Sequence, residues 1–223
     1  MPDLAPIGLS LALAGVTTLA LLLIGTPIAW WLSQTRSPVK PFIEAITALP
    51  LVLPPTVLGF YLLIALSPNS PFGQFWLNVT GDTLTFSFTG LVVASVIYSL
   101  PFMVQPLQAA FERVGRAPME AAATSRAKPL DAFLTVALPL SSRGFLVASV
   151  LTFAHTIGEF GVVLMVGGNI PGRTQLISIA VYEHVETLRY GEAHILAAGL
   201  LIFSFVTLLG VYAFNRKLAP HVG

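Results

Sequence analysis

Charge is scarce in this sequence. Asp, Glu, Lys and Arg make up 9% of its 223 residues, against roughly a quarter in an ordinary soluble domain. With 55% hydrophobic residues and a mean hydropathy of +0.83, a water-soluble globule is excluded. Cysteine is absent altogether, which removes disulfides, thiolate metal sites and cysteine nucleophiles. The formal net charge is only +1, and the basic residues sit in short loops rather than on one aromatic-interleaved face, so nucleic acid is not an expected partner. Histidine and carboxylate groups do not cluster with metal-ligand spacing, and no metal site is expected.

What is present is a series of long uncharged runs. None of the four charged residue types occurs between Asp3 and Arg36, room for a helix of about 20 to 25 residues. The run lacks a basic leader and is longer than a signal-peptide core, so it is expected to persist as a first span over 7–32, with Trp30 and Trp31 at a membrane interface. Further spans are expected over 42–66, 86–107, 144–166 and 193–215. The turn Ser67-Pro68-Asn69-Ser70-Pro71 follows the second, and Arg216-Lys217 ends the last. A segment over 174–188 has the pattern of an amphipathic helix lying on a membrane surface. No internal repeat appears, and one all-α membrane domain is expected over 1–223.

Five crossings would place Arg36, Lys40, Arg113, Arg116, Arg126, Lys128, Arg143, Arg216 and Lys217 on one side, and only Arg173 and Arg189 on the other. The excess of basic residues in cytoplasmic loops then predicts an outside N-terminus and a cytoplasmic C-terminus. The longest polar stretch, 112–143, falls on the cytoplasmic side. Within it Pro118 suits a first helical turn, Glu120 complements the helix dipole and Ala121-Ala122-Ala123 favours a slim, exposed helix. Pro129 ends that helix and starts another, whose Leu130, Phe133, Leu134 and Val136 are expected to pack back on the bundle before Leu138-Pro139.

Glu120-Ala121-Ala122, followed at the proper distance by Val136-Ala137-Leu138-Pro139, resembles the EAA loop of type I ABC importer permeases. The stretches Leu49 to Gly59, Gly158-Glu159-Phe160-Gly161 and Gly168-Asn169-Ile170-Pro171-Gly172 resemble the molybdate permeases among them. The resemblance implies five transmembrane helices, a homodimer with its path on the two-fold axis, two ABC ATPase subunits that bind ATP and Mg, and a binding protein that delivers molybdate. It implies no cofactor on this chain and no ATPase site of its own. It also implies that Glu120, Ala121, Ala122, Arg126, Lys128, Leu138 and Pro139 couple to the ATPase. Arg126 stands where the family pattern has Gly; if it adopts a left-handed turn, the cost is about 1 kcal/mol. Tungstate or sulfate remains the alternative cargo. A stand-alone secondary transporter would want internal repeats and midplane ionisable residues, and these are not visible.

Three further features stand out. Pro50, Pro54 and Pro55 remove amide donors within two turns of the second span, where lipid cannot replace them; with Thr56 and Gly59 they are read as translocation path or gate. Glu159 is a carboxylate within the fourth span, read with Gly161 and Arg173 as an outer-end structural or binding-protein contact, with Arg173 a candidate counter-ion and His155 a candidate hydrogen-bond partner. Gly167 to Thr174 nearly spells a P-loop but has Arg173 where Lys is required and no strand before it, so a nucleotide site is rejected.

Overall fold

The computed structural model describes residues 4–217 and contains helices and turns but no strand among them. The expectations about which side each chain end occupies concern termini whose last residues, 1–3 and 218–223, lie outside the described part.

Among the described residues, three unbroken helices are long and apolar enough to cross a membrane: α1 (Ala5–Gln34), α5 (Phe88–Val114) and α12 (Tyr190–Lys217). α1 carries Pro6 in its first turn, where the missing N–H is no loss. At 30 residues it is about 45 Å long, more than a bilayer core. Ser87 caps α5 by accepting from the Gly90 amide at 3.1 Å, and Gly115, with φ of 71°, ends it.

Two of the expected spans are broken. In place of one helix over 42–66 there are α2 (Lys40–Val52) and α3 (Pro55–Leu66), which meet at 112°. Pro54 and Pro55 enforce the break: neither can donate to the preceding turn, and each disfavours helical geometry in the residue before it. Pro50 alone does not break α2, which continues through it. In place of one helix over 144–166 there are α9 (Ser142–Gly158) and α10 (Gly161–Gly167), separated where Glu159 is extended. Two strongly bent pairs, α2 with α3 and the stretch Pro129–Leu140 with α9, the latter at 73°, bring the crossings among the described residues to as many as five if each counts as one span. A short helix, α4 (Pro71–Thr80), follows the turn after α3.

α1, α5 and α9 form the centre of the bundle. Leu21, Ala29 and Leu32 of α1 are buried with Met103, Val104, Leu107 and Phe111 of α5 and Ala148 of α9. A second core joins α3, α5 and α10 through Leu62, Leu66, Ala94, Val162 and Val166. The 174–188 segment forms α11 (Ile177–Glu186), which buries Ile177, Ile179, Ala180 and His184 against α1 and α12. It is therefore folded onto the bundle. The outer face of α12 leaves Leu201, Ile202, Phe205 and Leu209 exposed, as a lipid-facing helix requires.

Candidate functional site

The polar loop folds as the sequence pattern implies at its start. α6 (Ala117–Thr124) has Pro118 and Glu120 in its first turn and buries none of its residues. Its end is a complete Schellman cap: the Arg126 amide donates to Ala123 at 3.0 Å and the Ala127 amide to Ala122 at 3.1 Å. Arg126 occupies the left-handed position of that cap, with φ of 61°. The expected strain at this arginine is therefore present. Lys128 is extended and caps the next helix with no side-chain bond.

The return segment departs from the expected packing. α7 (Pro129–Ala132) runs into a π-helical turn over Phe133–Ala137 and then α8 (Leu138–Leu140). Pro139 has no amide for the Thr135 carbonyl and its ring would crowd that group, so the wider turn relieves the clash. The extra residue changes which side chains face inward. Ala132 and Ala137 are buried, whereas Leu130 and Leu134 are 69% and 51% exposed, contrary to the expectation that both pack on the bundle. Leu138 and Pro139 are exposed as well.

Phe133 holds the loop to the bundle. Its ring lies 5.1 Å from Trp30, which lies 5.1 Å from Phe111. Arg116 adds a bond from Nη2 to the Gln34 carbonyl at the end of α1, at 2.7 Å. Trp30 is thus an anchor for the loop, although the sequence suggested only a membrane-interface role. Beside it Lys40 lies 3.6 Å from Glu44 and 3.5 Å from Glu112, and Gln108 donates to both carboxylates at 2.8 and 3.0 Å. This network ties the start of α2 to the end of α5. Sequence reasoning passed over it, although Lys40 with Glu44 and Gln108 with Glu112 each have the i, i+4 spacing of helix-face neighbours.

At the other candidate site the two helix breaks meet. Pro55 and Thr56, at the start of α3, line a cleft of about 490 Å³ with Tyr98, His155, Glu159 and Gly161. Contact is close enough that a Cβ on Gly161 would lie 2.7 Å from that of Pro55. Pro54 caps α3. Pro50 and Gly59 lie elsewhere: Pro50 is buried within α2, and Gly59 lets α3 pack on Met165 and Val162 of α10. The sequence-predicted path residues are therefore brought together only in part.

Glu159 is 4% exposed. Its Oε2 accepts from Ser95 at 3.2 Å, its Oε1 has no partner, and its backbone carbonyl accepts from Ser178 of α11. Neither expected partner is found. His155 bonds Ser99 at 3.0 Å and stacks on Phe102 with ring centroids 3.9 Å apart, while Arg173 is exposed in the turn after α10. That turn is closed by Thr174, whose hydroxyl donates to the Gly167 carbonyl at 2.7 Å, so its glycines serve a tight loop.

An all-α bundle with two broken helices and a projecting slim helix matches a known architecture. Residues 10–222 match the family described as binding-protein-dependent transport system inner membrane component. The chain belongs to this permease family. It is 56% identical over 214 residues to the molybdenum transport system permease protein ModB of Azotobacter vinelandii, covering 96% of this chain and 95% of that one. It is 31% identical over 201 residues to the sulfate transport system permease protein CysT of Salmonella typhimurium, covering 88% and 72%. Among solved structures, the inward-facing MetNI methionine ABC transporter superposes with a TM-score of 0.74 at 17% identity, covering 95% of this chain and 94% of the other. That likeness extends to the fold alone. The fold is thus that of a type I ABC importer permease.

Proposed function

We infer that this chain is the membrane-embedded subunit of an ATP-driven importer of molybdate, working as a homodimer with the path on its two-fold axis. The observation that carries the cargo is the full-length likeness to the molybdenum permease of Azotobacter. A separate binding protein delivers the oxyanion at the outer face, and two ATPase subunits, which hold ATP and Mg, engage the α6 loops at the inner face. The N-terminus is outside and the C-terminus cytoplasmic, a reading supported by the distribution of basic residues.

Glu120, Ala121 and Ala122 present a helix that another protein can approach closely, because it has little side-chain bulk. Arg126 and Lys128 at its end supply cations for carboxylates of the ATPase, and Leu138-Pro139 fixes the return of the chain. When ATP draws the two ATPase subunits together, the α6 loops move with them. Trp30, Phe133 and Arg116 pass that displacement to α1 and α5, opening the bundle outward; hydrolysis resets it. Pro54, Pro55 and Thr56 form the gate region beside Glu159 and Gly161, while Pro50 and Gly59 shape the helices that carry it. Arg173 lies in a surface turn that suits contact with the binding protein. Fixed cations along the path would hold a dianion too firmly for release, which fits a division of labour in which selectivity sits on the binding protein.

Sulfate is the second reading, favoured by the likeness to the sulfate permease. Vesicles containing the chain with its ATPase subunits decide between the two. Stimulation of ATP hydrolysis by binding protein loaded with molybdate, but not sulfate, supports the first reading, and stimulation by sulfate alone overturns it. Loss of the stimulation in Ala121→Trp, in a complex that still assembles, tests the coupling role of α6.

A further inference from the structure

A second cleft, larger than the one at the helix breaks, lies beside the polar loop. It measures about 1000 Å³ and lies between the end of α5 and the start of α9, with Arg113, Pro118, Pro139, Ser141, Ser142 and Arg143 in its wall. Its two helices approach closely because Gly144 sits against Ala110, where a Cβ would lie 2.2 Å from the alanine's own. That contact brings together the last turn of α5, which carries Arg113, and the first turn of α9, which carries Arg143.

Three features of this wall favour negative charge. The N-terminus of α9, a helix of 17 residues, places the positive end of its dipole at this wall, although its Gly144 and Phe145 amides already donate to the Ser141 carbonyl. Arg143 stands on that first turn, where a cation is opposed by the dipole, and it forms no ion pair among the described residues. The guanidinium of Arg113 uses only Nε, toward the Ala109 carbonyl at 3.3 Å. The second, independent sign is Ser141. It is 2% exposed and its hydroxyl has no hydrogen-bond partner, a costly arrangement for a buried donor. Guanidinium N–H groups without an ion-pair partner, beside an unpartnered hydroxyl, are what an oxyanion completes, and arginine forks match tetrahedral oxygens in geometry as well as charge.

We propose that the cleft between Arg113 and Arg143 binds a tetrahedral oxyanion, either the phosphate of an anionic phospholipid or a free ion of the same shape. The site is distinct from the helix-break cleft, and it stands whether or not the chain carries molybdate. Basic pockets between helices at a membrane surface commonly hold lipid headgroups, and Pro106 and Val147 in the same wall suit an acyl chain below one.

The test uses the purified full-length chain. Native mass spectrometry compares retention of phosphatidylglycerol with that of phosphatidylcholine, and equilibrium dialysis with radiolabelled inorganic phosphate and with molybdate measures free-ion binding. Preferential retention of phosphatidylglycerol without free-ion uptake identifies a headgroup site; free-ion uptake in lipid-depleted protein identifies a soluble ligand. In either case Arg113→Gln with Arg143→Gln weakens binding at least tenfold, Ser141→Ala weakens it several-fold, and the paired lysine variant retains most of it. The lysine pair and Ser141→Ala keep the test informative if the glutamine pair does not fold. Equal retention of both lipids with no ion uptake overturns the proposal. So does unchanged binding in the folded glutamine pair, or a requirement for the arginines only in holding the ATPase subunit.

Discussion

The indole of Trp30 stands edge-on against the ring of Phe133, with centroids 5.1 Å apart and planes at 72°. One residue belongs to α1 and the other to the return segment of the polar loop, so the contact joins the loop to the longest helix of the bundle. Phe111 and Phe145 extend the cluster into α5 and α9.

Replacing Trp30 with Ala removes that joint while leaving α6 exposed and free to be gripped. The half-buried indole contributes about 2 kcal/mol to stability, below the range for fully buried Trp. The expected outcome is uncoupling: ATP hydrolysis in the assembled complex persists while cargo uptake falls several-fold. Measuring both in the same vesicles checks it, and a proportional fall in the two rates would refute the transmission role.

Arg126→Gly relieves the left-handed strain at the α6 cap and is expected to stabilise the isolated chain by about 1 kcal/mol. The same change removes a cation that, on the proposed coupling role of α6, meets the ATPase, so assembly is expected to weaken and to lose part of its salt dependence. Thermal melts of the chain and pull-down at two salt concentrations separate the two effects.

Ser10 of α1 accepts a hydrogen bond from the Ile177 amide at 2.9 Å across 167 residues of chain. Ser10→Ala leaves that buried donor unpaired, at a cost of about 1–3 kcal/mol. Ser10→Thr, which keeps the hydroxyl, is expected to melt closer to the parent; equal melting of Ala and parent would show that the bond contributes nothing.

Glu159→Gln keeps the acceptor for Ser95 and removes any charge from a site with an unpartnered carboxylate oxygen. Its melting temperature is expected at or above that of the parent, since an unpaired buried charge is costly. Transport by the same variant reports on function separately: retained uptake marks the residue as structural, and lost uptake at full stability marks it as part of the gate.

Gly161→Ala places a methyl 2.7 Å from the Cβ of Pro55 and forces the two helix breaks apart. Overpacking of this kind costs about 1–3 kcal/mol. Uptake is expected to fall more than the loop-dependent ATP hydrolysis if the helix-break region is the proposed path, because the damage lies there and not at α6.

Much of this protein was legible in the order of its residues. The uncharged runs defined the apolar helices, because a bilayer tolerates few charges whatever surrounds them. Pro118 and Glu120 defined the start of the projecting helix and Pro129 the start of the next, because caps and prolines act through the nearest few bonds, whereas the projecting helix stops earlier than Pro129, at the Arg126 cap. Pro54 and Pro55 announced a disturbed helix for the same local reason. The size of the bend, the break at Glu159 and the meeting of the two breaks depended on tertiary structure. So did the true partners of Glu159 and His155, the π-helical turn that faces Leu130 and Leu134 outward, and the joint between Trp30 and Phe133. Apolar side chains in such a chain carry no pattern that tells lipid from protein, since both are equally dry. Only the packing of one helix on another assigns each face its neighbour, and with it the hydrogen bonds that the few buried polar groups can find.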